Sequence, residues 1–251
     1  NRLLSSAISA YGEPELESNK IETQNQEKQQ SINNKNYYLI NSLDEIDKWI
    51  EEAEEVGEVA VDTETNSLDP HQADLVGISL CSKIGKACYI PVGHKSPKCL
   101  KKDAVIKKLK KILEDPSIKK IGQNIKFDFI VFYKNGITLS SMEDTMLMSY
   151  VLDAGKNRHN MDTLSEIHLG HKTISFKDMV GTGKKEINFS EVELDKAKDY
   201  AAEDADVTFR LYKKFIKNLK SEKMINIYEI FEKPLIKILA FMEIEGVEID
   251  S

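Results

Sequence analysis

The sequence lacks the features that define several classes of protein. No apolar run approaches the ~20 residues that a helix needs to cross a bilayer. The first ten residues are too interrupted by polar side chains to form a signal peptide. Only three cysteines occur, Cys81, Cys88 and Cys99, and their spacing matches no zinc motif. We therefore expect reduced thiols, a cytoplasmic location and no membrane association.

An excess of positive charge is also missing, because the formal net charge is −7. This argues against a protein that coats nucleic acid by electrostatics alone. It does not argue against an enzyme that grips a short stretch of strand, because carboxylates can hold divalent cations that then face the phosphate. His168 and His171 have no Cys or acidic partner at a recognisable spacing, so we expect a structural or surface role for them.

Composition divides the chain into three parts. Residues 18–36 are dominated by Asn, Gln, Lys, Glu and Ser and cannot bury enough apolar surface to offset the entropy of ordering. We predict a flexible linker over 1–36, a single domain over 37–219 and a helical segment over 220–251. The chain starts at Asn1 rather than Met, which predicts that it is a piece of a longer protein.

The pattern of apolar residues predicts an α/β domain. Strand patterns dominate its first part and helical periodicity its second. The longest helix is predicted over Glu191–Leu219, where apolar residues recur at steps of three and four. This order indicates a mixed β-sheet flanked by helices. The other predicted elements are strands at 37–40, 59–65, 75–81, 87–92 and 118–123, and helices at 43–56, 101–113 and 127–134.

Three acidic motifs stand out. Asp62 and Glu64 lie two apart in a strand pattern, so both side chains point to one face. Two adjacent anions at the end of an apolar strand repel each other unless cations lie between them; the alternative is an exposed edge strand. Asp128 falls in the first turn of a helix, where the helix dipole alone favours an acid. Tyr200 and Asp204 lie four apart on a helix and share a face, although that face is equally compatible with solvent exposure, as expected for Glu203 and Asp206.

The combination is more specific than its parts. Asp and Glu two apart on a strand, a helical Asp and a helical Tyr-x-x-x-Asp resemble the acidic set of the DEDD exonucleases in their Tyr variant. Over 37–219 the chain resembles the proofreading 3′–5′ exonuclease domain of bacterial family A DNA polymerases, the DNA polymerase I large-fragment type, and its tail resembles the start of their polymerase region. The matching motifs are Val61–Leu68, Gly122–Asp128, Asp144–Leu147, Arg158–Asp162, Gly170–Phe176 and Tyr200–Thr208.

The resemblance implies a ribonuclease H-like fold and a role for each matching residue. It implies that four acids bind two divalent metal ions, Mg²⁺ or Mn²⁺: Asp62, Glu64, Asp128 and Asp204. Tyr200 would orient the attacking water. Five further residues would contact the substrate: Leu68 and Phe176 the terminal bases, Lys126 and Arg158 the phosphates, and Asn124 a nearby part of the strand. Ordinary core packing is the alternative for Leu68 and Phe176.

The implied activity is hydrolysis of single-stranded or mismatched DNA 3′ ends to 5′-mononucleotides, by a monomer in the bacterial cytoplasm. The parent chain would carry a polymerase domain and serve DNA replication and repair, and no polymerase site is expected in this part of it. Two other functions stay open: a stand-alone RNase D-like RNA exonuclease with the same acids, and a metal-free module that only supports a polymerase.

Overall fold

The structure is a computed structural model of the 251-residue chain, and it describes residues 32, 34–183 and 186–246. Most of the predicted linker therefore lies outside the described residues. Six strands form one sheet. They are β1 (Tyr37–Leu39), β2 (Glu58–Thr65), β3 (Leu75–Lys83), β4 (Lys86–Pro91), β5 (Lys119–Gly122) and β6 (Met142–Asp144).

Helices flank this sheet, as predicted. They are α1 (Leu43–Val56), α2 (Lys102–Glu114), α3 (Ile125–Lys134), α4 (Thr145–Asp153), α5 (Met161–Leu169), α6 (Phe176–Val180), α7 (Leu194–Ser221), α8 (Ile225–Ile227) and α9 (Lys233–Glu245). A 3₁₀ turn at Phe189–Glu191 precedes α7, and a π-helical turn at Tyr228–Glu232 precedes α9.

The strand order is β1-β4-β3-β2-β5-β6. The pairs β2–β3 and β3–β4 are antiparallel, and the pairs β1–β4, β2–β5 and β5–β6 are parallel. The predicted mixed sheet is thus confirmed. β2 pairs with β5 over Glu58–Ala60 and with β3 over Ala60–Thr65, and Glu64 is buried. The alternative of an exposed edge strand carrying Asp62 and Glu64 is therefore wrong.

The two faces of β2 belong to two different cores. Val59 and Val61 pack into the core shared with α1, α2 and α3. Ala60 packs into the core beneath α7. Since successive strand residues alternate faces, Asp62 and Glu64 continue the face of Ala60 and point towards α7. The sheet therefore directs the strand acids towards the helix that carries Asp204.

A glycine opposite the strand acids brings an aromatic ring beside them. Gly77 pairs with Glu64 across β2 and β3. A Cβ atom at Gly77 would lie 2.0 Å from the hydroxyl oxygen of Tyr89, so only glycine leaves space for this ring. Tyr89 is fully buried, so its ring lies beside Glu64 in the protein interior.

The long helix begins later than predicted. We expected it to start at Glu191, but it starts at Leu194. The preceding residues instead form the 3₁₀ turn, in which Asn188 and Glu191 cap each other through a reciprocal capping box. A capping signal at the start of the predicted helix therefore marks a separate turn.

The last described helix packs on the same core as the sheet. Ile236 and Ala240 of α9 are buried in the core with α3. The ring of Phe241 meets Phe129 of α3 edge-on at 5.5 Å. The outer side of this segment stays apolar and exposed, as at Phe231 and Met242.

Candidate metal centre and substrate cleft

A cleft of about 560 Å³ opens at the end of β2. Its walls come from the β2–β3 connection, from α6 and its flanking loops, and from the first turns of α7. Six of the predicted site residues line it: Asp62, Glu64, Leu68, Phe176, Tyr200 and Asp204. The structure thus brings together residues that lie up to 142 positions apart, from Asp62 to Asp204.

Three carboxylates converge in this cleft. One oxygen from each of Asp62, Glu64 and Asp204 lies within 4.8 Å of the other two. Glu64 and Asp204 are buried. Desolvation raises the pKa of Asp62 to about 6. Desolvation, together with the charges of neighbouring acids, also raises the pKa of Glu64 and that of Asp204 well above their usual range. In the absence of cations, these acids therefore resist full ionisation.

Asp128 is fixed beside this group by the strand itself. Its Oδ1 accepts hydrogen bonds from the backbone N–H of Thr63, at 2.9 Å, and from the Thr63 hydroxyl, at 2.6 Å. Desolvation and the charge of Asp62 raise the pKa of Asp128 well above its usual range, although the Thr63 bonds oppose this shift. Asp128 is therefore not a simple helix cap, because it is buried and faces the strand acids.

The chemistry of this donor set fits divalent cations. Oδ1 of Asp204 is buried and has no hydrogen-bond partner among the described residues. A buried carboxylate oxygen without a partner is costly, and a cation would satisfy it. Hard oxygen ligands of this kind suit Mg²⁺ or Mn²⁺. Asp62, Glu64 and Asp204, with Asp128 beside them, are thus the residues that could hold such ions.

Tyr200 stands one helical turn before Asp204 and lines the same cleft. Desolvation, followed by the charges of Asp204, Glu64 and Asp62, raises its pKa well above the usual range. The phenol therefore keeps its proton at neutral pH and can donate a hydrogen bond into the cleft. Its ring leans on Phe189, with the ring centroids 5.9 Å apart.

Leu68 and Phe176 are both exposed, so neither is a core residue. Leu68 is 90% exposed and Phe176 is 41% exposed. The Phe176 ring stacks on the Phe189 ring, with the ring centroids 6.0 Å apart, and its centroid lies 6.1 Å from that of the Tyr200 ring. Exposed apolar side chains beside a polar cleft are typical of a binding surface.

The three remaining predicted substrate residues do not line the cleft. Asn124 lies at the start of α3 in the left-handed region, and its backbone N–H donates to Asp144. Lys126 forms an ion pair with Glu243 of α9. Arg158 is exposed in the loop before α5. Their roles as substrate contacts stay predictions.

Two acids of α7 contradict the expected solvent exposure. Glu203 is 6% exposed and Asp206 is fully buried. Asp206 accepts hydrogen bonds from the Tyr37 hydroxyl, the Gly85 backbone N–H and the Arg210 guanidinium. The prediction failed because these acids are buried by partners from distant parts of the chain, which helical periodicity does not reveal.

Gln123 is a cleft residue that the sequence did not single out as a site residue. Its side-chain amide donates to the backbone oxygen of His159 at 2.7 Å, which ties the cleft to the loop that carries Arg158. Its position within the Gly122–Asp128 motif was the available signal. Thr63, between the two strand acids, was missed in the same way.

The mixed sheet flanked by helices, with an acidic cleft at the end of β2, is the ribonuclease H-like fold of the DEDD class. Comparisons with solved structures agree on the fold. The polymerase-domain structure of Pol1 from M. smegmatis, in complex with DNA primer-template and dNTP, superposes with a TM-score of 0.66 at 18% identity, covering 85% of this chain and 33% of that one. RNase D of Escherichia coli superposes with a TM-score of 0.62 at 19% identity, covering 82% of this chain and 50% of that one.

Sequence comparison is more specific. A family described as 3′–5′ exonuclease matches residues 37–220. DNA polymerase I of Rhizobium leguminosarum is 42% identical over 236 residues, which cover 85% of this chain, and DNA polymerase I of Pseudomonas aeruginosa is 41% identical over 213 residues, which cover 82%. This chain spans 23% of the length of each relative. The chain therefore belongs to the 3′–5′ exonuclease domain family of DNA polymerase I.

Among the described residues, no helix combines the length and the apolar character that crossing a membrane requires.

Proposed function

We propose that this chain removes nucleotides one at a time from the 3′ ends of single-stranded or mismatched DNA by metal-dependent hydrolysis, as the proofreading part of a DNA polymerase I. The observation that carries this proposal is the convergence of Asp62, Glu64 and Asp204 in one cleft, with a buried Asp204 oxygen that has no hydrogen-bond partner in the described part of the chain. Family membership supports the reaction, and the relatives named DNA polymerase I favour DNA as substrate.

Asp62, Glu64, Asp128 and Asp204 would hold two divalent cations. When bound, such cations lower the pKa of a coordinated water and neutralise charge on the phosphodiester. Glu64 and Asp204 are held in place by burial, and Asp128 is fixed by its two hydrogen bonds from Thr63. The site would thus be preorganised before the substrate binds.

Tyr200 would hold the attacking water. Because its hydroxyl keeps its proton at neutral pH, it acts as a hydrogen-bond donor rather than as a base. Its ring rests against Phe189 on one side, so the hydroxyl has a fixed direction. The products would be 5′-mononucleotides.

Leu68 and Phe176 would contact the last bases of the strand. Each base stacked on an aromatic ring contributes ~1–3 kcal/mol to binding. Opening a paired end costs ~1.4 kcal/mol per base-pair step on average, and several steps are needed before the strand fits. Stacking can offset the cost of opening one or two base-pair steps but not that of opening many. Mismatched ends, which are already unpaired, would therefore be cut faster than matched ends.

We further propose that the exonuclease domain comprises residues 37–219, that residues 1–36 are a linker, and that 220–251 begin a polymerase domain of the same parent chain. The family match over 37–220 and the greater length of the relatives support this division. We expect a monomer in the bacterial cytoplasm, with Lys126 and Arg158 near the phosphates and Asn124 near the strand.

There are two alternatives. One is an RNA exonuclease, since the fold is also similar to that of RNase D. The other is a metal-free module that only supports a polymerase. A single assay separates all three. Single-stranded DNA, its RNA counterpart and matched or mismatched duplex ends, each labelled at the 5′ end, are incubated with Mg²⁺ and the protein.

The proposal predicts a ladder shortened from the 3′ end of DNA, faster on mismatched than on matched ends. Asp204→Ala should abolish the ladder, whereas Asp195→Ala, an exposed acid on the same helix, should leave it unchanged. Preferential shortening of RNA would establish the first alternative, and an intact substrate in every lane would establish the second.

A further inference from the structure

Glu203 is a buried carboxylate next to Asp204 that the metal centre does not use. It lies on α7 between the two residues that face the cleft, Tyr200 and Asp204. One of its oxygens accepts a hydrogen bond from the backbone N–H of Ile174 at 2.6 Å. The other oxygen lies 2.9 Å from Nε2 of His171. Both carboxylate oxygens are therefore committed to one segment, the loop between α5 and α6.

This loop leads directly to Phe176. Ile174 precedes Phe176 by two residues, and α6, which Phe176 starts, has only five residues. So short a helix has little stability of its own and takes its position from its surroundings. The other end of the loop is tied to α5, because the Ser165 hydroxyl donates to the backbone oxygen of His171 at 2.8 Å. Glu203 thus fixes the loop against α7 at two points, His171 and Ile174.

We propose that Glu203 is a positioning residue, which holds the loop 170–175 so that the Phe176 ring stands over the cleft in register with Tyr200. One turn of α7 would then set both parts of the site: Asp204 and Tyr200 for the reaction, and Glu203 for the surface that receives the bases. This inference rests on the proposed function, because it assigns Phe176 to substrate binding.

A double-mutant cycle on single-stranded DNA tests the inference. Glu203→Met keeps the length of the side chain and removes both acceptors. It should raise KM about tenfold, as expected for lost hydrogen bonds to a charged group, and change kcat by less than about twofold. Phe176→Ala should act in the same direction. If Glu203 acts through Phe176, the double variant should be no worse than Phe176→Ala alone.

Glu203→Gln is the conservative variant. Its amide oxygen still accepts from the Ile174 N–H, and its N–H donates to Nε2 of His171 when that ring carries its proton on Nδ1. Both hydrogen bonds can therefore form, and KM should return to within about twofold of the wild type. Glu166→Met, which changes an exposed residue of α5, is the matched control and should have wild-type constants. If Glu203→Met does not fold, Glu203→Asp takes its place, since it keeps the charge and withdraws the acceptors by one methylene.

Hydrogen exchange gives a readout that does not depend on activity. Peptides that cover 170–178 should exchange faster in Glu203→Met than in the wild type, and Glu203→Gln should restore their protection. Unchanged exchange, additive effects in the cycle, or a loss of kcat as large as that of Asp204→Ala would overturn the positioning role. Failure of the wild type to degrade DNA would instead refute the proposed function, and exchange alone would then decide whether Glu203 holds the loop.

Discussion

Asp204 and Asp206 lie two residues apart on α7, and both are buried, yet their surroundings are opposite. Asp206 accepts hydrogen bonds from Tyr37, Gly85 and Arg210. Asp204 has an oxygen without a partner among the described residues and faces two further acids. Burying a charge is tolerated when the charge is paired or binds a metal. The helix therefore carries a structural acid and a candidate metal ligand side by side, and partner atoms distinguish them where burial does not.

The largest expected effect separates the two acids by activity. Asp204→Ala should lower the exonuclease rate at least about 10³-fold, which is roughly 4 kcal/mol of barrier, because a ligand of the proposed cations is lost. The free energy of unfolding of the metal-free protein should fall little or even rise, since repulsion among the acids is relieved. Rate measurements with Mg²⁺, paired with urea unfolding, check this. A variant that retains wild-type activity would remove Asp204 from the proposed centre.

The second effect is the converse. Asp206→Ala should destabilise the protein by about 3 kcal/mol, because it removes the acceptor of a buried ion pair and of two further hydrogen bonds. Whatever remains folded at low temperature should keep most of its exonuclease activity. Urea unfolding of this variant and of Asp204→Ala, run together, provides the comparison. Equal stability losses in the two variants would mean that both acids are structural.

These two acids also show how far the sequence could be interpreted. The i to i+2 spacing on a strand put Asp62 and Glu64 on one face, and the Tyr-x-x-x-Asp spacing put Tyr200 and Asp204 on one helix face, because both patterns depend only on local geometry. That the two faces belong to one site was implied only by the family resemblance. The mixed sheet followed from local patterns in the same way. Predicting the burial of Asp206 requires knowledge of its partner Tyr37, 169 residues away, and spacing on a helix carries no such information.

The ion pair of Lys126 shows the same limit. Its partner Glu243 lies 117 residues further along the chain, on a helix whose packing against α3 no local pattern specifies. The capping box of Asn188 and Glu191 was a local signal, but Glu191 was assigned to the start of the long helix instead. The sequence predictions and the structure therefore differ in long-range pairing and in the position of one turn, and not in the types of the elements.

A third, smaller effect follows from protonation of the acids. Folding raises the pKa of Asp62 to about 6, and burial also raises that of Glu64 and Asp204. A carboxyl group of this kind stabilises the metal-free fold below its unfolded pKa and loses that contribution as pH rises through the folded pKa. Cations must displace these protons, so the rise in melting temperature caused by Mn²⁺ should be larger at pH 8 than at pH 5.5.

The size of this effect is about 1.4 kcal/mol per pH unit for each proton displaced. Melting curves with and without Mn²⁺ between pH 5.5 and pH 8 measure it. Asp206→Asn is the matched control. Its Mn²⁺-induced rise in melting temperature should depend on pH as in the wild type, because Asp206 is a structural acid and not a proposed metal ligand. A Mn²⁺ shift that does not change with pH would contradict the raised pKa values of the centre.

Calorimetric titration of Mn²⁺ at pH 7.5 tests the distinction between the two acids most directly. The wild type and Asp206→Asn should bind Mn²⁺ with similar affinity, and Asp204→Ala should lose binding at one or both sites. The contrary result, in which Asp204→Ala binds Mn²⁺ as the wild type does, or in which the wild type binds none, would mean that the unpartnered oxygen of Asp204 does not mark a metal centre.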